Sequence, residues 1–305
     1  MSKRPIDVLV YGTICLDAIW RVAALPEIDG FAPILDERTT SGGEALNTGA
    51  ALHRWGVRTV LAGNPVGTDE RGVQLLHLIH RDAPGIDMRY VQISDHAATP
   101  FCACVATPDG KRTMFGTGFD TMNSPAPHHL PLEKVRWFTM DPNAWEAGVA
   151  AGLAAAEAGC SVVAMDFLDS PEICSAATIN LSSSSRMPTG LTHQELLTRV
   201  GTLRDTYGKT TIITHGDEGC FVAAVGEPEA YHCPAIPAPT LVDCTGAGDV
   251  FRAGLLYGLC REWPLRECLR FAAGAAALNC TAPGGWAGVL SLQQTLEFLE
   301  STQGF

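Results

Sequence analysis

The sequence predicts a doubly wound α/β sheet carrying a small β lid. Repeated strand-then-helix units run from Ile6 to about Leu78 and again from about Val135 to the C-terminus, the alternation that buries a mostly parallel sheet between helices. Two stretches break that rhythm. Ile14 to Thr40 carries Trp20, Val22, Phe31, Ile34 and Leu35 without a helical period, and Phe101 to Phe115 alternates in strand fashion around Pro108-Asp109-Gly110. The core is therefore assigned to residues 1–12, 41–97 and 119–305, and the lid to 13–40 and 98–118. At 305 residues, 46% hydrophobic and 18% charged, the chain can bury a large core and an appendage.

Taken in order, Val8-Leu9-Val10-Tyr11-Gly12 reads as a buried first strand, with Asp17 beyond it. Ser41-Gly42-Gly43-Glu44-Ala45-Leu46-Asn47 opens a helical run from Thr48 to Trp55. Its glycines admit close backbone approach, and Asn47 offers both a donor and an acceptor to neighbouring hydroxyls. Asp69, within Val66 to Gly72, reads as a helix cap. The Ala-rich run from Ala144 to Ala158 is a packing helix, and Ser182 to Ser185 a polar loop. Thr214-His215-Gly216-Asp217-Glu218-Gly219 turns between the apolar runs Thr211–Ile213 and Cys220–Val222.

Asp243 to Asp249, DCTGAGD, is the most informative stretch. It joins an extended run to a helix whose apolar stripe includes Phe251, Leu255 and Leu259. The N–H groups of Gly246, Ala247 and Gly248 can converge on a phosphate oxygen, because no bulky side chain blocks the approach and the helix dipole adds positive potential. Asp249 then meets a substrate hydroxyl. At a helix N-terminus its pKa is expected to be low. Arg252, one helical turn on, faces either the transferred phosphate or solvent.

This string resembles the second signature of the ribokinase-like (PfkB-type) carbohydrate kinase family, D-T-x-G-A-G-D, with Cys244 at the usual Thr. Ser41 to Asn47 is similar to its GGxxxN element, and Thr214 to Gly219 to its T-x-G-x-x-G turn. The resemblance implies a three-layer α/β/α sandwich with a small β-sheet lid over the sugar. It implies Asp249 as catalytic base, Gly246, Ala247 and Gly248 as anion hole, and Asp17, Gly42, Gly43 and Asn47 on the sugar. Asn180, Thr214, Gly216 and Gly219 fall on the ATP side. Asp243 and Thr245, with Ala282 to Gly285, match a monovalent cation site, often potassium. Magnesium would bridge the nucleotide phosphates, and several relatives dimerise through the lid. Lys111 and Arg112, just after the lid turn, are placed to reach a closed substrate. Two positions depart from the pattern: Ser183 stands at the family's magnesium-organising Glu, and Ala273 at an adenine-side Asn.

Other classes lose support. Gly208-Lys209-Thr210 imitates a P-loop end, but Leu203 replaces its first Gly and a strand follows. Gly246-Ala247-Gly248 lacks the third glycine of a dinucleotide fingerprint, since Phe251 stands there. A formal charge of −12 argues against nucleic acid as partner. No run of 18 apolar residues argues for a membrane span, and MSKRPID leads straight into a strand, which predicts a cytoplasmic protein. Eleven irregularly spaced cysteines read as buried thiols, and His77 and His80 as an exposed helix face.

The leading expectation is an ATP-dependent kinase of a primary alcohol on a sugar, sugar acid or nucleoside. A catalytically weak sugar or nucleotide sensor, and a kinase of a hydroxymethyl vitamin precursor, are the alternatives.

Overall fold

In the segment Ile6–Gly12, Val8 and Val10 point to one side of the strand and Leu9 and Tyr11 to the other, and all four are fully buried. A strand apolar on both faces needs a covering layer on each. The computed structural model supplies both, and it describes residues 4–108, 112–119 and 124–302. Asp109, Gly110 and Lys111 of the expected lid turn lie outside the described residues.

Along the first half run β1 (Ile6–Gly12), β2 (Cys15–Val22), β3 (Ile34–Gly42), α1 (Glu44–Arg54), β4 (Thr59–Gly63), β5 (Val66–Gly67), α2 (Glu70–Asp82), β6 (Asp87–Tyr90), β7 (Ile93–Ser94), β8 (Phe101–Ala106) and β9 (Arg112–Thr117). The second half holds β10 (Val135–Met140), α3 (Trp145–Glu157), β11 (Ser161–Met165), α4 (Pro171–Ala176), β12 (Ile179–Ser183), α5 (His193–Tyr207), β13 (Thr210–Thr214), β14 (Cys220–Ala223), β15 (Tyr231–Cys233), α6 (Ala247–Cys260), α7 (Leu265–Asn279) and α8 (Leu292–Ser301).

The main sheet has the order β15-β14-β13-β12-β11-β10-β1-β4-β6, and every strand runs the same way except β14, which pairs antiparallel with both β13 and β15. Val8, Val10, Leu61, Val163 and Leu181 face a core shared with α1, α2, α6 and α7, while Leu9, Tyr11, Phe138, Met140 and Val162 face α3 and α4. Leu196 and Val200 of α5 pack on Ile213 and Phe221 on that second face. Helices thus cover both sides, giving the three layers.

Local signals set the helix ends. Asp69 caps α2 by accepting from Gly72 N at 2.8 Å, and Thr192 and Ser291 make reciprocal capping boxes with Glu195 and Gln294. Gly208 ends α5 in the left-handed conformation, so the P-loop imitation is a helix stop before β13. The serine run differs from expectation: Ser182 and Ser183 belong to β12 and Ser184–Arg186 forms a 3-10 turn, because pairing with Ile213 and Thr214 carries the strand that far.

A separate sheet of order β3-β2-β8-β9 forms the lid. Pairing of Asp17 with Thr40 and Cys102, and of Cys102 with Gly116, puts those residues on one face. By the two-residue period, Ile19, Cys104, Met114 and Arg112 share it. That face is turned to the core, since Ile19 lies against Gly284 and Cys104 Sγ lies 3.8 Å from Thr245 Oγ1.

Candidate active site at the switch point of the sheet

From β1 the chain winds one way, to β4 and β6, and later returns through β10 and winds the other way. Ligands of open α/β sheets bind in the crevice at the carboxyl ends of strands where the winding reverses. Here that crevice lies between β1 and β10. Asp141, just past β10, accepts from Thr13 N at 2.7 Å and Thr13 Oγ1 at 3.1 Å, just past β1. A Cβ on Gly12 would stand 1.9 Å from Asp141 Oδ2, so a glycine is needed for the carboxylate to tie the two strands.

The start of α6 sits over this crevice. Gly246 precedes it with φ 72°, and a Cβ there would come within 1.9 Å of Gly285 O. Glycine is thus required twice, by conformation and by space. Gly248 has open surroundings, with Met165 Cε the nearest atom to an added Cβ at 3.7 Å. Asp249 lies in the first turn and is 6% exposed. Asn47 Nδ2 donates to Asp249 Oδ2 at 2.8 Å, and Thr48 Oγ1 donates to Asp249 O at 3.1 Å, so the GGxxxN and GAGD elements meet side by side.

Arg252 takes neither expected position. It is fully buried, and it donates to Thr48 Oγ1, Met140 O and Glu44 O, joining α6 to α1 and to the end of β10. Its Nη2 lies 3.5 Å from Asp249 Oδ1. Glu44 accepts from Asn143 Nδ2 at 3.1 Å, and burial raises the pKa of both Glu44 and Asp141. One guanidinium therefore sits among the carboxylates of Glu44, Asp141 and Asp249.

The expected low pKa of Asp249 does not survive this environment. Burial pushes it up to about 6, against the pull of Arg252 and the Asn47 bond, and Asp141 adds to the rise. Burial also raises Asp17 to about 6. A reaction that needs both ionised is expected to lose rate as pH falls through 6, with a log slope between one and two, and to level off above it. A pH profile of kcat/KM checks this.

Asp17 is 7% exposed on the inner face of the lid and accepts from Cys15 Sγ at 3.0 Å. A Cβ on Gly42 would lie 1.8 Å from Asp17 Oδ2, and one on Gly43, whose φ is 97°, 2.4 Å from Thr13 O. The two glycines thus let the hinge of the lid close on Asp17 and on the end of β1. Gly42→Ala must move the Asp17 carboxylate. It is expected to raise the acceptor KM about tenfold or more and to leave the KM for ATP nearly unchanged, which steady-state kinetics measures. Arg112 is exposed on the same inner face, and its charge reaches Asp249.

Asp243 serves as a clip. Its Oδ1 accepts from Thr245 N at 2.9 Å and Thr245 Oγ1 at 2.7 Å, and its Oδ2 from Gly284 N at 2.9 Å. Asn279, also fully buried, donates to both Thr245 O and Gly285 O at 3.1 Å. The loop before α6 and the loop after α7 are held as one oxygen-rich unit.

The nucleotide-side candidates lie along the same sheet edge. From β10 to β13 is three strands, roughly 14 Å. Thr214 ends β13 and donates from Oγ1 to Ser182 O at 3.4 Å. Gly216 has nothing within 4 Å of an added Cβ, whereas a Cβ on Gly219 would meet Cys233 O at 2.1 Å. Gly219 is therefore fixed by the hairpin, and Gly216 leaves an open approach. Asn180 is buried within β12 and donates to Cys174 O at 3.1 Å, with no bond to the Asp249 cluster. Beside Ser183 stands Asp166, whose Oδ1 accepts from Ser182 Oγ and Ser183 N, each at 2.8 Å. Asp166 holds a left-handed φ of 62°, rare for a residue with a side chain.

Sequence reasoning passed over Glu44, Asp166 and Asn279. A signal existed for Asn279, an amide closing the apolar run Phe271 to Leu278. None existed for Asp166, whose role depends on a neighbouring strand.

Comparison with known proteins identifies the family. The model of the pfkB family carbohydrate kinases matches residues 6–290. An ATP-dependent ribose-1-phosphate kinase of Halopiger xanaduensis is 28% identical over 92% of this chain and 93% of its own length. A ribokinase of Arabidopsis thaliana is 26% identical over 96% of this chain and 80% of its own. Among solved structures, Arabidopsis thaliana ribokinase complexed with ribose and ATP superposes with a TM-score of 0.80 at 20% identity, covering 97% of this chain and 99% of that one. Giardia lamblia ribokinase gives 0.81 at 17% identity, covering 96% and 99%. With the family signature spanning nearly the whole chain and the ribokinase fold beneath it, the protein belongs to the pfkB family of carbohydrate kinases and is an ATP-dependent sugar kinase.

Proposed function

We propose that the enzyme transfers the γ-phosphoryl group of ATP to a hydroxymethyl group of a sugar, sugar acid or nucleoside. The observation that carries this reading is Asp249 in the first turn of α6, next to the Gly246, Ala247 and Gly248 amides and bonded to Asn47. The acceptor oxygen attacks phosphorus, the bond to the ADP bridging oxygen breaks, and the hydroxyl proton passes to the Asp249 carboxylate. Such transfers have a loose transition state, so positioning and charge stabilisation dominate. A base near pH 6 suffices. Asp17, Gly42, Gly43 and Asn47 hold the acceptor, Arg112 reaches it from the lid, and closure of the lid excludes water from the activated phosphoryl group.

Magnesium, when bound with the nucleotide, neutralises phosphate charge. Among the described residues no group of three His, Cys, Asp or Glu is placed to hold a metal. The donor set thus suits an ion carried by the nucleotide, with the Asp166 carboxylate, beside Ser183, organising its waters. The clustered oxygens of Asp243, Thr245 and Gly285 suit a hard monovalent cation. Initial rates at saturating ATP and magnesium are expected to be several-fold higher in potassium than in tetramethylammonium buffer, and equal rates would remove the cation from the scheme.

Asn180, Thr214, Gly216 and Gly219 lie on the ATP side in this reading. Ile28 is 93% and Phe31 88% exposed on the lid, with Leu35 and Phe115 also exposed, which supports a homodimer formed through the lid. The free state of the cysteines favours the reducing cytoplasm. Among the described residues no helix is long and apolar enough to cross a membrane.

Ser183 and Ala273 favour the sensor as the second reading. A coupled ADP assay over a panel of sugars, sugar acids and nucleosides separates the two. Turnover of a primary alcohol is expected; binding without ADP release would support the sensor.

A further inference from the structure

Antiparallel pairing of β14 with β15 sets Cys220 directly opposite Cys233. Residues facing each other in such a ladder have Cα atoms about 4.5–5.5 Å apart, within the span that a disulfide bridges. Both cysteines are free thiols, and they already hydrogen-bond one another.

Their surroundings divide the two parts of an oxidation between them. Cys220 is 2% exposed and packs into the core, while Cys233 is half-buried on β15, the edge strand of the main sheet. An oxidant therefore meets Cys233 first. Tyr231 shares the face of Cys233, two residues back, and the Arg266 guanidinium in the first turn of α7 lies 3.8 Å from the centre of the Tyr231 ring. The Cys220 hydrogen bond and this cation draw the Cys233 pKa down. Elsewhere burial does the reverse, pushing Cys174 and Cys268 up to about 11 and Cys102 and Cys260 up to about 12. An accessible sulfur that favours the thiolate, beside a buried second thiol, is the arrangement that peroxide oxidises and the second thiol resolves.

A bond here reaches the turn 214–219. Opposed Cβ atoms sit about 4.5–5.5 Å apart in a sheet and about 3.8 Å apart in a disulfide, so its closure draws β15 toward β14 by roughly 1 Å. β15 has two direct holds on the turn. His232 Nε2 donates to Glu218 O at 2.7 Å, and the main chain at Gly219 runs so close that an added Cβ would meet Cys233 O at 2.1 Å. Cys220 itself pairs with Thr214, where the turn begins. A shift of β15 is thereby passed to the backbone from Thr214 to Gly219.

We propose that Cys220 and Cys233 are a site of reversible oxidation by hydrogen peroxide, and that the disulfide they form weakens ATP binding. The Cys233 thiolate attacks one peroxide oxygen, the O–O bond breaks, and the hydroxide released takes up a proton to leave as water. The Cys220 thiol then attacks the resulting sulfenic sulfur and displaces a second water. Two thiols and one peroxide give one disulfide and two waters, the sulfurs losing the two electrons that the peroxide gains. The modification is independent of the kinase reading, while its effect rests on the assignment of the turn to ATP.

The test treats the full chain with graded hydrogen peroxide, alkylates the remaining thiols and maps linked peptides by mass spectrometry. The link between Cys220 and Cys233 is expected at lower doses than any other pairing, and dithiothreitol is expected to remove it. Its formation should raise the KM for ATP about fivefold or more, with recovery on reduction, whereas Cys233→Ser and Cys220→Ala should keep their unoxidised KM at the same dose. Cys233→Ser, at the half-buried position, keeps the test valid should Cys220→Ala fail to fold. Absence of the link would overturn the proposal. A link with neither KM changed, or an equal rise in the variants, would overturn the coupling alone, and a rise confined to the acceptor KM would take the turn away from ATP.

Discussion

Asp249→Asn is expected to lower kcat/KM by about 10²–10⁴-fold, the usual range for losing a positioned base, and at the same time to raise the melting temperature. The second effect follows from the burial that tunes the first. The Asp249 pKa rises from 3.8 unfolded to about 6 folded, so the folded state holds the proton more tightly. The stability this contributes is fully present below pH 3.8 and lost as pH rises through 6. At pH 7 the ionised carboxylate therefore costs on the order of 3 kcal/mol. Asparagine keeps the shape and can still bond Asn47 without the charge. Arg252 is not orphaned, because Glu44 and Asp141 remain beside it. Thermal unfolding at pH 7 should show a gain of several degrees, shrinking toward pH 4. A loss of stability in an inactive variant would mean that the carboxylate is held for structure.

Arg252→Leu is expected to destabilise the fold by about 3–5 kcal/mol, the range for breaking a buried ionic cluster. The guanidinium is fully buried, pairs with Asp249 at 3.5 Å and lends its charge to Glu44 and Asp141 as well. It also donates to Met140 O at 3.1 Å and Glu44 O at 2.8 Å, which its removal leaves without those donors. The sign with pH is distinctive. Without the cation, the carboxylates are easier to bury protonated, so the variant should recover stability between pH 7 and 5. Denaturant unfolding at both pH values measures this. Arg252→Lys restores charge but not the three-way fork, and only part of the loss should return.

The contrast between these two residues shows what the sequence could reveal. Asp249 is legible because its neighbours are small and its position, at the start of an apolar stripe, is local information. The layered sheet is legible for the same reason: Val8 to Tyr11 and Thr211 to Ile213 are short apolar runs ahead of helical patterns, and the lid segments lack a helical period. Arg252 is visible as the one charge beyond Asp249 in an otherwise apolar helix, but its burial is a tertiary fact. So is the pKa of Asp249, where desolvation outweighs the helix dipole that local reasoning emphasised. Asp141 bonds Thr13 across 128 residues, and Asp166 bonds Ser183 from the next strand. Contacts of that kind leave no trace in spacing. The serine run was misread because polar side chains hide a strand whose pairing is decided by Ile213 and Thr214.

The central claim is that three amides and one carboxylate surround the phosphorus atom as it changes oxygens. A crystal structure with ADP, magnesium, aluminium fluoride and a turned-over acceptor tests it directly. The account predicts the N–H groups of Gly246, Ala247 and Gly248 on the fluoride ligands and Asp249 within hydrogen-bond distance of the acceptor hydroxyl. A metallofluoride bound away from the start of α6, or Asp249 turned from the acceptor, would contradict it.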